Sequence, residues 1–174
     1  MAIDDIERLR GELELAPHPE GGYYRELYRS PLSVIDRRGR TRCALTVIHF
    51  LLPSDQVSAW HVLASDETWH FASGDSIEVA MLDDGRFEVV TLGAESGYVL
   101  VVPAGRPFAA RVKASETFGL VTCCVAPGFE FEDFELLDPA ALARDHPAHA
   151  AAIQAFVRIG VPRETDGRAG GARR

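Results

Sequence analysis

The chain has 174 residues, 47% of them apolar, and its 18 Lys and Arg against 26 Asp and Glu give a formal net charge of −8. This length favours one domain with a sizeable core, and the acidic balance argues against nucleic acid and membrane surfaces as partners, because both attract basic proteins. We expect a cytoplasmic protein, since no apolar run approaches the roughly 18 residues that span a bilayer and the acidic N-terminus lacks the features of a secretory signal.

The first predicted element is a short amphipathic helix over residues 3–15, in which Ile6, Leu9 and Leu13 recur at helical spacing. The Pro- and Gly-rich stretch 16–22 ends this helix. Short segments rich in Val, Ile, Thr, Phe and Tyr follow at regular intervals without intervening helices, a pattern typical of a β-sandwich or barrel. The nine predicted strands are 22–29, 43–52, 57–63, 67–72, 76–82, 86–92, 98–103, 107–113 and 117–126.

Helices are predicted again at the C-terminal end. Asp138 is suited to cap a helix that starts at Pro139, and a second helix is predicted over 147–158. The polar, Gly- and Arg-rich segment 163–174 is expected to be a disordered tail after a single domain formed by residues 1–162.

Two spacings in the middle of the chain resemble the signature motifs of the cupin superfamily. His61, Glu67 and Gly74 match the first histidine, the glutamate and the glycine of the first motif. The frame of the second motif is matched by Gly97, Pro103 and Gly105. The resemblance implies a small double-sheet barrel whose interior holds the functional site.

Two of the four metal-ligand positions depart from this pattern. Leu63 stands where the second histidine is expected and Phe108 where the third is expected. Because a firm divalent site usually has three or four protein ligands, we expect no cofactor. The alternative is a weakly bound divalent metal held by His61 and Glu67.

Longer stretches of the chain are similar to the cupin-5 family, also called DUF985. They are residues 15–26, 50–53, 58–61, 65–71 and 125–136. The resemblance implies a mainly β fold, the cupin double-stranded β-helix or jelly-roll barrel, which here carries a short N-terminal helix and C-terminal helices. It also implies a tendency to form homodimers, and it implies no settled activity.

Strand alternation indicates which side chains share the barrel interior. If His61 faces inwards, Glu67, Trp69 and Phe71 share one face of the next strand, and His70 lies on the outer face or at a dimer contact. An apolar pocket with few polar groups is typical of a small-molecule site. We expect His61 and Glu67 to perform any acid–base catalysis and the two aromatic rings to stack on a ligand. The alternative is a hydrogen-bonded pair that only closes the barrel.

Four further residues are candidate ligand-binding groups: His49, Tyr24, Arg25 and Phe108. His49 lies in an apolar central strand, where a satisfied core histidine is the alternative. Arg25 has the geometry to clamp a carboxylate or phosphate, with an ion pair as the alternative. His18, between two prolines, is interpreted as a turn residue.

The first functional hypothesis is a cupin that binds a small polar metabolite, sugar-like or acidic, with metal-independent epimerase- or isomerase-type acid–base chemistry as its catalytic variant. One alternative is a metal-dependent cupin enzyme with an incomplete His/Glu site. The other is a non-catalytic dimeric structural module, with an exposed Trp60 and the C-terminal helices at its interface. Cys123 and Cys124 are not expected to act as catalytic thiols, and the sequence leaves open whether the protein is an enzyme.

Overall fold

The computed structural model describes residues 2–83 and 85–157. The predicted tail 163–174 and the last residue of the predicted helix 147–158 lie outside this part of the chain. The helices and strands, in chain order, are α1 (Ala2–Glu12), β1 (Ala16–Pro17), β2 (Tyr23–Arg29), β3 (Ser33–Ile35), β4 (Thr41–Cys43), β5 (Thr46–Pro53), β6 (Val57–Leu63), β7 (Asp66–Gly74), β8 (Ile77–Asp83), β9 (Arg86–Leu92), β10 (Val99–Val102), β11 (Phe108–Val112), β12 (Phe118–Ala126), β13 (Phe134–Leu136), α2 (Pro139–Asp145) and α3 (Ala150–Gln154).

Two antiparallel sheets form the barrel. The strand order is β1-β2-β5-β12-β7-β10 in the first sheet and β13-β6-β11-β8-β9 in the second, while β3 and β4 form a separate hairpin. Inward-facing side chains of both sheets meet in one core, which includes Phe50, Trp69, Phe108 and Val121. On the outer face of the central strands β5 and β12, Leu51 and Leu120 pack against Ile6 and Leu9 of α1.

The structure confirms the expected mainly β cupin-type fold with an N-terminal helix and C-terminal helices. Each of the nine predicted strands is present, although the strand predicted over 43–52 begins later, at Thr46, because Cys43 belongs to the β3–β4 hairpin. Four strands were not predicted: β1, β3, β4 and β13. None of these is longer than three residues, which is too short for an alternating pattern to be recognised.

The C-terminal helices cover the outer face of β6. Asp138 caps α2, since its side chain accepts a hydrogen bond from the backbone nitrogen of Ala140 at 3.0 Å. The predicted second helix is shorter than expected, a single 3₁₀ turn at Pro147–His149 followed by α3. The prediction of an exposed Trp60 is wrong. Its ring is fully buried, and its indole nitrogen donates to the carbonyl oxygen of Ile153 at 3.1 Å.

Within the described part of the chain, the helices are all too short or too polar to cross a lipid bilayer.

Candidate functional site

A cavity of about 130 Å³ lies inside the barrel. Its walls are mostly aromatic and aliphatic, and four histidine and glutamate side chains line it although solvent scarcely reaches them. These four are His18, Glu20, His61 and Glu67. Buried ionisable groups in an apolar cavity have altered pKa values, and the geometry around each group determines the direction of the change.

His61 projects inwards from β6, and its tautomer is fixed by the strand itself. Its Nδ1 atom lies 2.7 Å from the carbonyl oxygen of Ala59, which can only accept, so Nδ1 carries the proton and Nε2 keeps its lone pair. Nε2 lies 3.4 Å from Oε2 of Glu20. Burial lowers the pKa of His61 below its ordinary value, although the Ala59 carbonyl and the charge of Glu67 act in the opposite direction. The imidazole is therefore a neutral base at pH 7.

Glu20 enters the cavity from the loop between β1 and β2. Its Oε1 atom accepts a hydrogen bond from the hydroxyl of Ser58 at 2.8 Å, and its backbone carbonyl accepts one from the amide of Ala59 at 2.8 Å. These bonds tie the loop to β6 and place the carboxyl beside His61. Burial raises the pKa of Glu20, opposed by the charge of His18 and by the bond from Ser58.

Glu67 lies near the start of β7 and faces the same cavity. Burial, together with the negative charge of Glu20, raises the pKa of Glu67 to about 7, while His61, Trp69 and Cys123 partly oppose the rise. Both protonation states of this carboxyl are therefore populated at neutral pH. A group of this kind can act as a general acid or a general base.

Trp69 presents an unpaired donor to the cavity. Its indole lies two residues after Glu67 on the same face of β7, only 1% exposed, and its nitrogen makes no hydrogen bond of normal geometry within residues 2–83 and 85–157. The indole lies near enough to Glu67 to lower the pKa of that carboxyl. Because an unpaired buried donor is costly, the N–H group is suited to an acceptor atom of a bound molecule.

Aromatic rings from several elements form the walls. Phe50 contacts the Trp69 ring edge-on, with 5.6 Å between centroids, and Phe134 of β13 lies 5.4 Å from the His61 ring. The sequence suggested that His18 is a turn residue, but the structure also places it in the cavity wall. Its side chain is buried among these rings, with its centroid 4.7 Å from that of Tyr24.

Arg29 lies at the edge of the cavity and is already paired. It contacts the carboxylates of Glu26 at 2.8 Å and of Glu130 at 2.6 Å, and these three side chains all line the cavity. The guanidinium is therefore neutralised by the protein itself. It is not available as a free positive charge for a bound anion.

The structure brings His61, Glu67, Trp69 and Tyr24 together around the cavity, as the sequence analysis expected. Phe108 does not line it. This ring packs against His61 with centroids 3.9 Å apart and so supports the imidazole within the core.

Arg25, His49 and Phe71, which the sequence analysis named as ligand-binding candidates, also do not line the cavity. Arg25 and His49 point to the opposite side of their strands, where Arg25 pairs with Glu14 at 2.7 Å and His49 lies 3.4 Å from the hydroxyl of Thr122. Their strand neighbours on β2 and β5 face the cavity instead. Phe71 lies further along β7, beside the ring of Tyr98.

Sequence reasoning missed the contribution of Glu20 and His18. Both lie in the stretch 15–26, directly before the strand that carries Tyr24. The available signal was a histidine and a glutamate set among prolines and glycines immediately before an inward-facing strand.

The side chains do not fit the metal centre that a cupin-type barrel implies. At two of the four expected ligand positions, Leu63 and Phe108 offer only carbon atoms. No group of three or more His, Cys, Asp or Glu side chains in the described ranges is arranged to hold a metal ion. Of the four expected ligand positions, only His61 and Glu67 offer atoms that bind a metal ion.

Comparison with known proteins gives a consistent set of relatives. The Cupin_5 model, described as cupin superfamily (DUF985), matches residues 7–137. A hypothetical protein from Leishmania major is 33% identical, with a TM-score of 0.82 over 88% of this chain and 98% of that one. A protein from Shewanella oneidensis is 35% identical, with a TM-score of 0.80 over 92% and 99%. An uncharacterized protein of Saccharomyces cerevisiae is 29% identical over 150 residues, 76% of this chain and 75% of its own length.

Proposed function

Because this chain belongs to the Cupin_5 (DUF985) family of the cupin superfamily, and its relatives are uncharacterized, we propose a function from the cavity itself: binding of a small polar molecule inside the barrel. The observation that carries this proposal is the convergence of two carboxyls, two imidazoles and an unpaired indole N–H group within one apolar cavity. A protein has no structural need to bury so many polar groups where hydrophobic residues would fill the core at lower cost.

The charges around the cavity favour a neutral or cationic ligand over an acidic one. Glu20 and Glu67 both line the cavity, and the cation at its edge, Arg29, is held by two carboxylates. An anion would have to approach these carboxyls without a free positive charge to bind it. The sugar-like part of the original hypothesis therefore has more support than the acidic part.

The cavity groups also support acid–base chemistry without a metal. Nε2 of His61, which lies beside Glu20, is the acceptor nitrogen of a neutral imidazole, and Glu67, with a pKa of about 7, can release or take up a proton in the same cavity. This pairing suits an isomerase- or epimerase-type reaction, in which one group removes a proton from carbon and another returns it. Catalytic turnover would require that the protein binds a ligand in this cavity.

The binding proposal is tested by replacing one histidine that lines the cavity, His61 of β6, and one that lies outside it, His49 of β5. A library of neutral, cationic and anionic metabolites is screened by thermal shift, and hits are measured by calorimetry. We expect the affinity for a hit to fall at least tenfold in His61→Asn and to stay unchanged in His49→Asn, since His49 faces away from the cavity. Equal losses in both variants, or no hit from any class, would contradict binding inside the barrel.

We propose in addition that two copies of the chain associate, and that the protein is cytoplasmic. Association is supported by apolar side chains exposed on β2 and on the following hairpin, which include Tyr28, Leu32 and Ile35. The three cysteines of the described chain are unpaired thiols, as in a reducing compartment. A purely structural dimer without a ligand is the second candidate function, and the screen above distinguishes the two.

A further inference from the structure

Resting on the proposed function, we infer that the cavity selects a small organic cation, an amine or quaternary ammonium compound that also carries a hydroxyl or carbonyl oxygen. Three features of the cavity point to this class: its ring walls, its charges and the indole N–H group of Trp69.

The ring walls have the composition of a cation-binding cage. Tyr24, Phe50, Trp69, Phe129 and Phe134 all line the cavity, so aromatic groups enclose it from β2, β5, β7, β13 and the loop before β13. The faces of such rings carry negative electrostatic potential and attract ammonium groups, most strongly when water is excluded. A neutral apolar ligand would gain the same burial without using this potential.

The charges that the cavity groups can carry are negative, which suits a cationic ligand. Glu67 faces Glu20 and His18 from the loop before β2, His61 from β6 and Cys123 from β12. Burial lowers the pKa of both His18 and His61 and raises that of the Cys123 thiol, so these groups are neutral near pH 7. The two carboxyls are thus the groups of this set whose ionised form is negative, and a bound cation would favour that form over the protonated one that burial favours.

The unpaired donor and the cavity volume define the rest of the ligand. The Trp69 N–H group lies close to Glu67 without a hydrogen bond of normal geometry, so it can donate to a hydroxyl or carbonyl oxygen of a ligand, an acceptor that an ammonium group does not offer. The volume of about 130 Å³ is close to that of a known engineered cavity of ~150 Å³ that binds benzene. A molecule of about seven non-hydrogen atoms therefore fits.

Choline is a suitable probe, because a neutral molecule of the same shape exists. In neohexyl alcohol a carbon atom replaces the nitrogen of choline and the hydroxyl is retained. We expect calorimetry at pH 8 to show choline binding at least tenfold more tightly than neohexyl alcohol. Because Glu67 has a pKa of about 7 and must ionise to pair with the cation, choline affinity should rise about tenfold from pH 6 to pH 8.

Two matched variants locate the effect. Glu67→Gln should reduce choline affinity at least tenfold and remove its pH dependence, whereas Glu88→Gln, on the exposed side of β9, should change neither. If choline and neohexyl alcohol bind equally, or if a neutral sugar binds and choline does not, the inference of a cation is overturned while the proposed binding function stands. If no small molecule of any class binds, both are overturned.

Discussion

Ionisation of Glu67 is unfavourable in the folded protein, because its side chain is buried beside a second carboxyl. Its pKa rises from an ordinary value of 4.5 to about 7 in the folded protein. At a pH between these two pKa values, Glu67 is protonated in the folded state and ionised in the unfolded chain. The stability of the fold must therefore fall as the pH rises through this window, and it levels off above it.

The Glu67→Gln variant tests this relation, since glutamine keeps the shape of the side chain and cannot ionise. We expect the free energy of unfolding of the variant to gain about 2–3 kcal/mol relative to the wild type between pH 5 and pH 8. Urea unfolding at several pH values measures this difference. For Glu88→Gln, the difference from the wild type should be nearly the same at every pH. A constant difference for Glu67→Gln as well would mean that the carboxyl is not protonated in the fold.

The residues of the site were predictable to the extent that they lie on regular strands. His61, Glu67 and Trp69 follow the two-residue alternation of β6 and β7, and two of them also occupy positions of a family motif. Glu20 lies in no periodic segment. It is buried because its loop turns at Gly21 and Gly22, both with positive φ, and bonds to β6, an interaction between residues distant in the sequence.

Among the elements, two of the missed strands, β4 and β13, have partners far along the chain. Arg42 of β4 binds Asp133, 91 residues later, through its Nε atom at 2.7 Å. Asp133 directly precedes β13, whose Phe134 forms part of the cavity wall. A three-residue strand held in this way has no local signature. Its position follows only from the assembled barrel.

The end of β7 gives a prediction at this scale. Gly74 has φ of +92°, and a Cβ atom there would overlap the carbonyl oxygen of Phe118. Gly105 has φ of +78° with open space around it. We expect Gly74→Ala to lower the free energy of unfolding by about 3 kcal/mol or more and Gly105→Ala by about 1–2 kcal/mol, because only the first adds a backbone clash to the conformational strain. Equal losses in urea unfolding would contradict a close approach of β7 and β12.

For the whole molecule, the distribution of exposed apolar side chains bears on assembly. Trp60, expected at a dimer interface, is instead covered by α3 within the same chain. Two groups of exposed apolar side chains lie elsewhere: Tyr98, Val99 and Val101 on and beside β10, and a strip on β2 and the hairpin that follows it. This strip comprises Leu27, Tyr28, Leu32, Val34 and Ile35.

The same region presents an open strand edge. β1 pairs only with Tyr23 and Tyr24, so the remainder of β2 has no strand on its outer side within the described ranges. Exposed strand edges with apolar neighbours favour pairing with another chain. The strip and the edge together give a reason for two copies to associate there.

We therefore predict a homodimer whose interface contains this strip. Ile35 is 68% exposed, and Ile35→Glu should convert the dimer to a monomer at micromolar concentration, because dimerisation would bury an unpaired charge. The control is Val99→Glu on β10, a 57% exposed position on the opposite edge of the same sheet. Sedimentation velocity measures both variants. A monomeric wild type would contradict the prediction, and a dimer that dissociates only in Val99→Glu would place the interface on β10 instead.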